Sequence, residues 1–145
     1  MAQLQPYCAI EGNDDGLPVV FVHGMGVDHR SLMMLDKAFD GNDSIRRIYL
    51  DLPGFGRTPA LPEHACGLPE MADWLQTAID GLVGKAAPFA MVGNSMGGAL
   101  VREVLAREPR RVAGMALIAP VADPQHAGRH AAEHVVAQPN PKLTH

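Results

Sequence analysis

The chain has 145 residues, a length that suits one domain, with 47% hydrophobic and 19% charged residues. A net charge of −4 and a pI near 5.9 leave no basic face for nucleic acid or for an anionic membrane surface. No apolar run approaches the roughly 18 residues of a membrane-spanning helix, residues 1–6 lack the regions of a signal peptide, and Cys8 and Cys66 make no disulfide framework, so a soluble cytoplasmic protein is expected.

In chain order, residues 7–10 have strand character and lead into a turn-rich stretch, Glu11-Gly12-Asn13-Asp14-Asp15-Gly16. Residues 18–22 are continuously apolar, the pattern of a strand buried on both faces. Residues 31–39 place Leu32, Leu35 and Phe39 on one side of a helix with Ser31 as its N-cap, and Ile45–Leu50 is the third strand. Residues 69–83 carry Met71, Leu75, Ala78, Ile79 and Leu82 at helical spacing, with Pro69 in the first turn and Gly84 at the C-cap. A strand at 89–92, a helix at 98–107 and an apolar strand at 112–119 follow. The cysteines read as small packed hydrophobes, Cys66 the less buried. Arg46-Arg47 and Arg110-Arg111 read as solvated element ends. Alternating strands and helices predict an α/β protein with a mostly parallel, helix-covered sheet. Residues 125–137 have helical potential, and 138–145 carry two prolines and no final element.

Three motifs fall at the carboxyl ends of predicted strands, where open α/β sheets bind ligands. They are His23-Gly24-Met25-Gly26, Asp51-Leu52-Pro53-Gly54-Phe55-Gly56-Arg57-Thr58, and Gly93-Asn94-Ser95-Met96-Gly97. The last is a G-x-S-x-G turn, which lifts a serine hydroxyl clear of a sheet at the start of a helix. A phosphate-cradling turn is the competing reading, but neither G-x-x-x-x-G-K-[ST] nor G-x-G-x-x-G is present. His130-Ala131-Ala132-Glu133-His134 spells H-x-x-E-H. Only His145 could supply a third ligand after it, so His126, His130 and His134 read as a solvated helical face and no metal is expected.

The three motifs, in this order and spacing, resemble the α/β-hydrolase superfamily over residues 7–124, with G-N-S-M-G-G similar to small esterases and meta-cleavage-product hydrolases. The resemblance implies an α/β-hydrolase core in 1–124 and the start of a cap, or a truncated tail, in 125–145. It makes Ser95 the nucleophile and the backbone amides of Met25 and Met96 the oxyanion donors, leaving both methionine side chains to line an acyl pocket. His23 and Gly24 would shape the oxyanion loop, Asn94 would sit in the elbow, and Gly93, Gly97 and Gly98 would keep the elbow free of clashes. Asp51 reads as stabilising its own turn, and Arg57 and Thr58 as solvent-side or loop-fixing residues.

A serine needs a base held by a carboxylate, and the family places both after later strands. Asp123, after the 112–119 strand, is the candidate acid; no histidine follows a further strand. Two functions stay open. One is a serine hydrolase of a small ester, lactone or activated carbon–carbon bond, working through an acyl-enzyme without a cofactor. The other is a non-catalytic module that binds a small molecule in the same pocket. The pattern further suggests a hydrolase fold lacking its C-terminal strands, of low activity and solubility, self-associating through an exposed apolar edge strand.

Overall fold

The computed structural model describes residues 5–123. Five strands form one sheet: β1 (Cys8–Gly12), β2 (Leu17–Val22), β3 (Ile45–Leu50), β4 (Phe89–Asn94) and β5 (Val112–Ile118). Their order is β1-β3-β2-β4-β5, with β1 antiparallel to β3 and every other pair parallel. Three helices connect them: α1 (Arg30–Met33), α2 (Leu68–Val83) and α3 (Met96–Arg107).

Strand alternation divides the core in two. Val20, Val22, Ile48, Leu50 and Met91 face α2 and α3, meeting Leu75, Ile79, Leu100, Val101 and Val104. Val19, Phe21 and Tyr49 face the other way and meet Leu32 of α1, with Phe39 packed against them. The expected α/β architecture with helices on both faces is therefore present, and β2 is buried on both sides as its unbroken apolar run requires. Gly84 caps α2 at φ 91°, and Pro69 sits in its first turn. The elbow helix begins at Met96, earlier than residue 98.

Three expectations are corrected. Residues 31–39 do not make one helix: α1 ends at Met33, and a separate 3₁₀ turn spans Asp36–Phe39. Its three-residue repeat puts Asp36 and Phe39 on one side. Asp36 there accepts from Arg47 Nε at 2.6 Å and Tyr49 OH at 2.8 Å, while Phe39 packs edge-on to Phe21. Ser31 is not the cap either; His29 precedes α1, and the Ser31 hydroxyl donates to the Asp28 carbonyl at 2.8 Å.

The second correction concerns the arginines. Arg47 is buried in that Asp36–Tyr49 cluster. Burial and the adjacent carboxylate push the Tyr49 phenol well above its ordinary range. Arg111 spans from β5 to the end of α2, donating to Asp80 Oδ1 and the Gly84 carbonyl at 2.7 Å each, with its guanidinium over the Phe89 ring. The third concerns the cysteines: Cys8 is half-buried against the core, whereas Cys66 is exposed rather than packed.

Candidate active site

Connections from β2 and from β4 leave towards opposite edges of the sheet, because β3 lies on one side of β2 and β4 on the other. The carboxyl ends of these two strands are therefore the switch point, the place where such sheets take ligands. The loops of His23-Gly24 and of Ser95 lie there and meet each other.

Ser95 sits between β4 and α3 at φ 51°, ψ −116°, a positive-φ conformation that a residue with a side chain rarely adopts. The turn is locked from β5: Ser95 N–H donates to the Ile118 carbonyl at 3.0 Å, and the Asn94 side-chain amide donates to the same oxygen at 3.1 Å. The Ser95 carbonyl accepts from Gly98 and Val121, each at 3.0 Å. Close packing dictates the glycines. A Cβ on Gly93 would stand 2.5 Å from Val101 Cγ2, and one on Gly98 would stand 2.7 Å from Pro120 Cβ. A Cβ on Gly97 would collide with the Val22 carbonyl and stand 2.5 Å from that of His23, so α3 can approach β2 only without one.

The β2 loop meets the serine at Gly24, where a Cβ would lie 3.1 Å from Ser95 Cβ and 3.0 Å from Asn94 Oδ1. Met25 follows directly. Met96 opens α3, so its amide is among the four that a helix N-terminus leaves without an intrahelical acceptor. The methionine side chains part ways. Met25 is 72% exposed, while Met96 is buried in the α2–α3 core and cannot line an open pocket, which corrects that expectation.

His23 is fully buried with both ring nitrogens engaged. Nε2 accepts the Leu52 N–H at 2.9 Å, so the proton sits on Nδ1, which donates to the Gly24 carbonyl at 2.7 Å. Burial holds the imidazole below its ordinary value of 6.5. With no lone pair left to offer, His23 holds the loop instead of taking a proton.

Asp51 does more than brace its own turn. Fully buried, it accepts from the Arg57 amide through Oδ2 at 2.9 Å. Oδ1 accepts from both the backbone N–H and the ring Nδ1 of His29, at 2.8 Å each. Gly56, at φ 53°, has no room for a Cβ against this carboxylate. Thr58 fixes the loop by accepting the Tyr7 N–H at 2.9 Å, and Arg57 lies over the Tyr7 ring. His29 is the residue that sequence reasoning missed; its only signal was a histidine on the loop opposite a strand-end aspartate.

Asp28, His29 and Asp51 bring potential ligand atoms within 4.8 Å of one another. Their oxygens are already taken, however, by Arg57 and His29 on Asp51 and by a two-point contact from Arg30 on Asp28. That contact holds the Asp28 carboxyl down to about 2. Among the described residues no hydrogen bond joins the Ser95 hydroxyl to a histidine. Asp123 is exposed beyond β5. His126, His130, His134 and His145 lie outside the described residues.

An open, mostly parallel sheet with a strained serine turn at its switch point defines the class: an α/β protein of the strand–elbow–helix kind. The chain belongs to the alpha/beta hydrolase fold family, whose model matches residues 18–140. It is 34% identical, over 74% of its length, to a dihydrolipoyllysine-residue acetyltransferase component of the acetoin cleaving system from Pseudomonas putida. It is 32% identical, over 71% of its length, to a pimeloyl-[acyl-carrier protein] methyl ester esterase from Legionella pneumophila. The match spans 28% of the first protein and 38% of the second. An alpha/beta superfamily hydrolase from Oenococcus oeni superposes with TM-score 0.77 at 26% identity, covering 94% of this chain and 53% of that one. The family supports hydrolase chemistry in general terms, and among the described residues no helix is long and apolar enough to cross a membrane.

Proposed function

We propose that this chain carries the nucleophile half of a serine hydrolase acting on a small ester, lactone or activated carbon–carbon bond. The observation that carries the reading is Ser95 at φ 51°, held at the head of α3 with Gly24 packed against it. A base takes the Ser95 hydroxyl proton as the oxygen attacks the substrate carbonyl, and the acyl-enzyme forms as the leaving group departs carrying that proton. The Met25 and Met96 amides take the charge that develops on the carbonyl oxygen, aided by the positive end of the α3 dipole. Water then releases the acid. Among the relatives, the Legionella pneumophila protein is an ester hydrolase by name, which supports the ester class.

Among the described residues His23 has both ring nitrogens engaged and no hydrogen bond joins His29 or His64 to Ser95, so this reading takes the base from outside residues 5–123. Asp123 keeps the role of candidate acid, as the loop after β5 is where the family can place one. The test is modification by a fluorophosphonate followed by peptide mass spectrometry. Adduct at Ser95, and not at Ser31 or Ser44, supports the nucleophile. Equal modification of all three serines overturns it. That no base meets Ser95 among the described residues also supports a second reading, a binding module. Equal affinity for a non-hydrolysable ester analogue in wild type and Ser95→Ala, with no adduct, would favour that module.

A further inference from the structure

We infer that His29 and Asp51 form a positioning pair that holds the oxyanion loop, residues 23–29, at the distance from Ser95 that its amides need. This rests on the reading of Met25 as an oxyanion donor. The loop is tied at both ends to the same place, the carboxyl end of β3. At its start, His23 Nε2 takes the Leu52 N–H at 2.9 Å. At its finish, Asp51 Oδ1 takes both donors of His29 at 2.8 Å. Between these ties lie Gly24, against Ser95, and Gly26, at φ 79°.

Asp51 is fully buried, and a buried carboxylate has to be compensated in place. Three N–H donors do so, two from His29 and one from Arg57, so the aspartate cannot shift without moving the end of the β2 loop. Because the ionised carboxylate only accepts, the His29 proton sits on Nδ1. A histidine held in this way by an aspartate has the form of a catalytic pair, but its setting differs. The His29 ring stacks at a tilt on Tyr7 at 5.1 Å, and the cavity of about 190 Å³ beside it is lined by Asp28, Arg30, Gly56 and Arg57, none of them in the elbow. On that ground His29 is assigned a positioning role: its ring faces Tyr7 and this cavity, not the elbow turn.

Two variants separate the hydrogen bond from the packing. His29→Phe keeps a ring against Tyr7 and removes the Nδ1 donor, whereas His29→Asn offers an amide N–H where Nδ1 stood. Two readouts follow: hydrogen exchange of the amide at position 29, with β2 amides as the internal control, and affinity for phenylboronic acid, which forms a tetrahedral adduct on a serine. Losing one charge-assisted hydrogen bond predicts about tenfold faster exchange at position 29 in His29→Phe, and a loss of boronate affinity of about the same factor. His29→Asn should restore both, with β2 unchanged throughout. Unchanged exchange in His29→Phe, or equal losses in both variants, overturns the inference. A wild type that does not bind the boronate contradicts the hydrolase reading instead, and the exchange data then decide the clamp alone.

Discussion

Ser95 holds a backbone conformation that costs a residue with a Cβ about 1–3 kcal/mol, and glycine far less. Ser95→Gly should therefore raise stability by about 1 kcal/mol in urea unfolding while abolishing modification at this position. A destabilised variant would mean that the hydroxyl, and not the strain, dominates the site. His23 makes a second prediction. Its folded-state pKa is depressed below the ordinary 6.5, so below that pH the unfolded chain takes up a proton that the folded one refuses. Its contribution is complete above pH 6.5 and is lost as pH falls towards the lower folded value. Unfolding free energies at pH 7.5, 6.5 and 5.5 should decline in that order, and less steeply in His23→Gln; parallel declines would contradict the assignment. The elbow glycines were legible in the sequence because close contacts leave only glycine to fit, and Ser95 was legible through their spacing around it. The His29–Asp51 pair was not, since its partners lie 22 residues apart and meet only because β2 and β3 are neighbours.

At the scale of elements, the strands read clearly wherever burial on both faces leaves an unbroken apolar run, as in β2. The 31–39 segment misled because helical spacing and a 3₁₀ turn share the i, i+3 relation, and Asp36 is drawn into a cluster with Arg47 and Tyr49 that no local pattern shows. Arg111 was hidden for the same reason: charge beside charge reads as surface until the partners are known. It joins α2, β4 and β5 through Asp80, Gly84, Ala87 and Phe89. Arg111→Met keeps most of the stem and removes those hydrogen bonds, and should cost about 2 kcal/mol. Thermal and urea unfolding measure it. A loss comparable to that of an exposed arginine such as Arg57→Met would show that the junction contributes little.

For the whole molecule, the described sheet leaves β5 paired on one side by β4, with Ala113, Gly114, Ala116, Leu117 and Ile118 exposed. An apolar edge of this kind is a template for another strand. Concentration-dependent association is therefore expected in sedimentation, and Leu117→Lys should suppress it; a monomer at every concentration would contradict this. β5 also reaches the elbow, since the Ile118 carbonyl accepts from both Asn94 and Ser95 and so fixes the turn. The central claim is that this scaffold singles out one serine of the chain. Fluorophosphonate modification read by peptide mass spectrometry tests it most directly. Adduct confined to Ser95, lost in Ser95→Ala and lost on unfolding in urea, is the predicted result. Modification spread equally over Ser31, Ser44 and Ser95, or unchanged by unfolding, would contradict it.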